Sequence, residues 1–302
     1  MITLFLIIII FAYLSYRKAF YSSPKRKENI RSIPTSEPYA KGRPIMLGLI
    51  DEMESIPFEQ VYIKSFDGLE LTARYYHIAD GAPLQIQCHG YRGTAIRDFC
   101  GGNKLARDLG HNTLVIDQRA HGKSEGKTIC FGIKEKYDCL AWANYAAKRF
   151  GDVPIVLSGV SMGAATVLMA SELDLPENVR CIIADCPFSS PEETIANECK
   201  KMGIPPVIGM PFVRLGARIF GRLKLSGGAE EAVKNTKVPI LLIHGEADRY
   251  VPCEMSRKIY SANPEMITLE TFPDAAHGIS YITDPERYAE ISRRFMENCG
   301  IE

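Results

Sequence analysis

Short apolar runs recur along most of the chain, spaced so that a helix fits between them, and this alternation limits the possible folds more than any other feature. The runs are Leu84 to Cys88, Thr113 to Ile116, Ile155 to Ser158, Cys181 to Ala184, Ile240 to Ile243 and Thr268 to Phe272. Helix-length segments such as Ile133 to Phe150 and Pro285 to Asn298 separate them. A strand covered on both faces reads as a continuous apolar run, so the pattern predicts a mostly parallel sheet with helices on both sides, an α/β fold. Ahead of it, Gln60 to Ser65 and Leu69 to His77 flank Phe66-Asp67-Gly68 and predict a hairpin. No internal repeat or low-complexity tract interrupts the rhythm, so residues 45–302 are expected to form one domain.

Composition removes several competing classes. The 302 residues are 46% hydrophobic and 24% charged, with 36 Lys+Arg against 36 Asp+Glu. Disorder needs low hydrophobicity with high net charge, and a nucleic-acid binder normally carries a basic excess. Nucleic acid is therefore not expected as a partner. The nine cysteines include no C-x-x-C pair, which argues against zinc ribbons and redox pairs and suits small buried hydrophobes in a reducing compartment.

The N-terminus departs from the rest. Ile2 to Tyr16 is an uncharged apolar run followed at once by Arg17 and Lys18. At 1.5 Å per residue it reaches about 23 Å, which spans a bilayer core only if Ala19 to Tyr21 extend it while the basic pair snorkels. A signal peptide has its basic residues before the apolar stretch, not after it, so residues 1–21 are expected to be a membrane anchor. Residues 22–44 read as a polar, turn-rich basic linker. Its Lys/Arg excess favours a single-pass arrangement with the following domain on the cytoplasmic side, and either attracts anionic lipid or serves as a solvated tether. Arg17 to Arg43 hold eight of the 36 basic and two of the 36 acidic residues, leaving 28 and 34 beyond them, a net of minus six.

In parallel α/β sheets the chemistry sits where strands end. The strand Ile155 to Ser158 runs into Gly159-Val160-Ser161-Met162-Gly163 and then a helix-forming run, Ala164 to Ala170. This G-x-S-x-G in strand-turn-helix context puts a serine on a sharp turn whose flanking glycines let the backbone close, at a helix N-terminus that favours developing negative charge. A nucleophilic serine needs a base and an orienting acid. The strand Ile240 to Ile243 leads into His244-Gly245-Glu246-Ala247-Asp248-Arg249-Tyr250-Val251-Pro252, and Thr268 to Phe272 into Pro273-Asp274-Ala275-Ala276-His277-Gly278.

The order Ser, Asp, His, with His89-Gly90-Tyr91-Arg92-Gly93 after the strand ending at Cys88, resembles the α/β-hydrolase superfamily from about Gln60 to the C-terminal helix. Within it the chain is similar to single-anchor bacterial hydrolases and, more distantly, to esterases and acylaminoacyl-type serine peptidases. The resemblance implies Ser161 as nucleophile, Asp248 as acid and His277 as base, with the backbone N–H groups of Tyr91 and Met162 as the oxyanion hole. It implies neither a metal nor an organic cofactor, and a small acyl ester or short peptide as substrate. Expected is a serine hydrolase of carboxylic esters at the cell membrane; an acylaminoacyl-type peptidase, a thioesterase and a non-catalytic binding protein are the alternatives. Glu246 and Asp185 are decoys for the acid, and His89 and His244 are expected to brace loops. In the loop from Asp117 to Gly126, the family more often has Gly where Ala120 stands. Residues 189–237 are rich in Met, Ile, Val and Phe, and read either as a small helical cap over Ser161 or as crossover helices packed on the sheet.

Overall fold

The computed structural model describes residues 2–23, 29–35 and 37–301; residues 24–28 and 36 of the expected linker lie outside these. The first helix, α1 (Ile2–Ala19), is followed by α2 (Tyr39–Ser55), the antiparallel strands β1 (Glu59–Lys64) and β2 (Glu70–Tyr76), and β3 (Leu84–Cys88). Then come α3 (Ala95–Asp108), β4 (Asn112–Asp117), α4 (Glu135–Phe150), β5 (Ile155–Val160), α5 (Met162–Ala170) and β6 (Val179–Asp185). The remainder is α6 (Pro191–Lys201), α7 (Pro206–Phe220), the short α8 (Ala229–Ala232), β7 (Ile240–Gly245), α9 (Glu254–Ala262), β8 (Ile267–Phe272), the short α10 (Ser280–Thr283) and α11 (Pro285–Asn298).

The eight strands make one sheet in the order β1-β2-β4-β3-β5-β6-β7-β8, parallel from β4 to β8. Alternate side chains of each strand feed different layers. Ile86, Leu157, Ile182 and Leu242 pack with Trp142 of α4 and Val167 of α5 on one face. Val156, Cys181, Ile183 and Leu241 pack with Leu105 of α3 and Ile291 and Met296 of α11 on the other. Because β3, β5, β6, β7 and β8 run the same way, their carboxyl ends share one edge of the sheet.

Each strand read from the sequence is present, with Leu84–Cys88 as expected and the others differing by one or two residues at one or both ends. The segment read as linker differs. Helix α2 starts at Tyr39, within residues 22–44, and buries Ile50 and Met53 among Tyr76, Phe99 and Cys100. Gly42, Pro44 and Gly48 weaken its helical signature, and packing against α3 overrides their low propensity.

Helix α1 is long and apolar enough to cross a membrane, yet its C-terminal half docks on the domain. Ala12, Tyr16 and Phe20 are buried, Tyr16 and Phe20 with Phe131, Met162 and Ala217. The Tyr16 hydroxyl lies 2.9 Å from that of Thr128, and Ile129 N–H donates to the Phe20 carbonyl at 2.7 Å.

Candidate active site

Ser161 stands between β5 and α5 with φ +56° and ψ −116°, outside the regions side chains prefer. The flanking glycines show why the turn needs them. A Cβ on Gly159 would lie 2.3 Å from the Gly163 carbonyl oxygen, and one on Gly163 would lie 1.8 Å from that of Cys88. The elbow is thus wedged between its own helix and strand β3.

His277, in the loop after β8, accepts the Ser161 hydroxyl at Nε2 at 2.8 Å and donates from Nδ1 to Asp248 Oδ2 at 2.6 Å. The carboxylate fixes the tautomer: Nδ1 must carry the proton, which leaves Nε2 free to accept. Asp248 Oδ1 accepts the backbone N–H groups of Tyr250 and Val251 at 2.7 and 2.9 Å. Burial alone would raise the Asp248 carboxyl, but hydrogen bonding from His244 and His277 overcomes it and holds the group well below the usual carboxylate range. The carboxylate is therefore ionised at neutral pH.

Met162 opens α5, so its N–H sits at that helix's N-terminus. Tyr91 follows β3, the strand paired with β5, and a Cβ on the preceding Gly90 would come within 3.4 Å of Ser161 Cβ. The loop carrying Tyr91 thus passes directly over the serine. Asp98 of α3 braces it by accepting Gly90 N–H at 2.9 Å, a role no sequence motif signalled.

The decoys are engaged elsewhere. Glu246 pairs with Arg257 on the surface. Asp185, buried at the end of β6, accepts from Ser280 Oγ at 3.1 Å, and burial first of all raises its pKa to about 6. His244 donates from Nε2 to the Val251 carbonyl, lies 3.4 Å from Asp248 Oδ2 and so backs the acid, and accepts from Ser256 at Nδ1, while His89 donates to the Gly90 carbonyl and accepts Gln118 N–H. Ala120 takes φ +63°, the conformation that a glycine would adopt there without strain. The buried Cys186 has its sulfur within 4.8 Å of ligating atoms of Asp248 and His277. Those two already bond each other, and burial pushes the Cys186 thiol well up, which disfavours the thiolate a metal would need.

A cavity of about 590 Å³ opens at Ser161 and His277. Its walls come from Ile33, Pro34, Tyr39 and Met46 of the N-terminal segment, Phe99, Gly101 and Leu105 of α3, and Tyr281 and Met296. None of residues 189–237 lines it; α6 and α7 instead bury Ile195, Met210 and Val213 beside Met162 and Phe188. Tyr39 ties the N-terminal wall to the site, its hydroxyl donating to the His277 carbonyl at 3.0 Å. The N-terminal contribution was invisible in the sequence, because it depends on α2 folding back across α3.

Comparison with known proteins agrees with this fold. A family model described as the alpha/beta hydrolase fold matches residues 86–204. YqkD of Bacillus subtilis is 28% identical over 259 residues, 78% of this chain and 83% of that one. The lysophosphatidylserine lipase ABHD12 of Danio rerio is 26% identical over 186 residues, 59% of this chain but 46% of its own length, so the match spans about half of that protein. Among solved structures, the Pyrococcus furiosus esterase Pf2001 superposes with a TM-score of 0.68 at 24% identity, over 82% of this chain and 93% of that one. Fold, elbow and strand-end order together give this chain the α/β-hydrolase fold, and its sequence is similar to hydrolases of that superfamily.

Proposed function

We propose that the protein is a serine hydrolase that cleaves carboxylic esters through an acyl-enzyme on Ser161. The observation that carries this reading is the continuous relay from Ser161 through His277 to Asp248 at the mouth of a cavity walled largely by apolar side chains. His277 takes the serine proton during attack on the ester carbonyl and returns it to the departing alcohol, and Asp248 stabilises the imidazolium between the two steps. The N–H groups of Tyr91 and Met162 receive the oxyanion. Water then repeats the sequence on the acyl-enzyme and releases the acid. Helix α1 anchors this domain at a membrane, so that its substrate is an amphiphilic ester. The names esterase and lysophosphatidylserine lipase borne by similar proteins support the ester over the amide.

A fluorophosphonate probe should label the wild-type protein and leave Ser161→Ala unlabelled; equal labelling of both would falsify the nucleophile assignment. Turnover of aminoacyl amides faster than that of any ester in a chain-length series would move the reading to a peptidase.

A further inference from the structure

Helices α1 and α7 lie side by side and run in the same direction. Phe11 meets Phe212 with ring centroids 5.5 Å apart, and Tyr13 and Tyr16 meet Phe220 at 5.2 and 5.9 Å. Between these contacts the backbones close up at a small residue: a Cβ on Gly216 would lie 2.2 Å from the Ala12 carbonyl oxygen. With 1.5 Å of rise per residue, Val207 and Ile208 stand about 6 to 8 Å beyond Phe212, level with Leu6 and Ile7 of α1. There they are 81% and 58% exposed, next to the exposed Met202 and Ile204 of the α6–α7 turn. Water gains nothing from such a tip, and none of the described residues covers it.

Its flank is basic. Lys200 and Lys201 end α6 immediately before Met202, with Glu198 and Glu193 the acidic groups near them and Lys258 paired to the latter. Lys201 Nζ also donates to the Tyr250 carbonyl at 2.9 Å, and the Tyr250 ring lies 5.4 Å from that of His277. Apolar tip, lysine collar and cavity mouth therefore share one side of the molecule.

We propose that the α6–α7 turn is a second membrane-seating element. Its tip enters the same leaflet as α1, with Lys200 and Lys201 at the level of anionic headgroups. The proposal rests on the anchor reading of α1 and deepens it: the seat is a two-helix surface rigidly joined to the domain, and it holds the cavity beside Tyr250 at the lipid surface. The substrate class it selects is an acyl ester already resident in the membrane, which reaches Ser161 without crossing water. The segment serves as a keel for the domain and leaves the cavity walls to other elements.

Trp142, the sole tryptophan, is fully buried, so a second one reports its own surroundings. The full-length Val207→Trp protein, mixed with phosphatidylcholine–phosphatidylglycerol vesicles carrying brominated acyl chains, should show blue-shifted emission quenched about twofold or more. That result corresponds to a depth of about 5–10 Å below the headgroups. Tyr62→Trp, at an exposed position on edge strand β1, should stay unquenched. Vesicle flotation of V207W without quenching overturns the second seat and leaves the anchor intact. Failure to float overturns both, and the ester reading is judged separately by probe labelling at Ser161. Lys200→Glu should weaken flotation severalfold with phosphatidylglycerol vesicles and not with pure phosphatidylcholine; equal loss on both overturns the headgroup assignment.

Discussion

Asp248 and Glu246 are two residues apart, and the difference between them is one of surroundings. The first is buried under His277 and two backbone N–H groups, while the second meets Arg257 in solvent. Asp248→Asn would turn an amide donor toward Nδ1 and favour the wrong imidazole tautomer, so ester turnover should fall about 10⁴-fold. Glu246→Gln breaks only an exposed pair and should change it less than about twofold. Comparable losses would transfer the acid's role to Glu246. Two other buried groups contribute to the acid response of the fold with opposite signs. Burial lowers the His111 pKa from 6.5 to about 4, so the stability tied to its neutral form is lost as pH falls through that interval. Burial raises Asp185 from 3.8 to about 6, so its contribution has the opposite sign: present at low pH and lost as pH rises toward 6. Between about pH 6 and 4, where the two intervals overlap, they oppose each other. Asp185→Asn removes the compensating member, and its melting temperature should fall more steeply on acidification than that of the wild type; parallel melting curves across that window would refute the pairing.

At the level of elements, the nucleophile elbow couples three of them at once. Gly163 packs its Cα against the Cys88 and His89 carbonyls at the end of β3, the strand that carries Tyr91 onward. Gly163→Ala cannot be absorbed by a side-chain rotation, because the obstacle is backbone, so α5 must move away from β3. Stability should drop by about 2 kcal/mol or more and activity should vanish with the displaced Met162 N–H; a denaturation midpoint equal to wild type would contradict this. This part of the site was legible in the sequence because its requirements are local: a strained serine, two glycines, and an acid and a base just past the ends of β7 and β8. The walls of the cavity were not. Ile33, Tyr39 and Met46 carry no motif, and they reach the site only because α2 lies on α3. For the same reason, the apolar content of residues 189–237 could not distinguish a roof over Ser161 from helices packed beside α5. Composition gives the apolar residues of α7 no direction, and α1, whose partner it is, lies about 200 residues away in the chain.

For the molecule as a whole, zero net charge conceals a polarity, since a basic N-terminal arm balances a domain of minus six. An arm of that kind could be a passive tether, and then its removal would leave the domain's stability unchanged. The contacts of α1 argue otherwise. Tyr16 and Phe20 are buried against the domain, Thr128 pairs with Tyr21 as an isolated bridge, and the Tyr91 hydroxyl donates to the Ala19 carbonyl at 2.8 Å. Burying one large apolar side chain is worth about 1.5–3 kcal/mol, so losing two should lower the melting temperature on the order of 10 °C in a domain of this size. Removing residues 1–22 also takes away the carbonyl that accepts the Tyr91 hydroxyl, on the residue whose backbone N–H is proposed to receive the oxyanion. A truncated protein, compared with the full chain in the same detergent, should therefore melt earlier and hydrolyse a short water-soluble ester with reduced kcat, although such a substrate needs no membrane. Equal melting temperatures and equal kcat would make α1 a tether alone. The expected losses would instead mean that the helix proposed as a membrane anchor also holds the loop of Tyr91 in place.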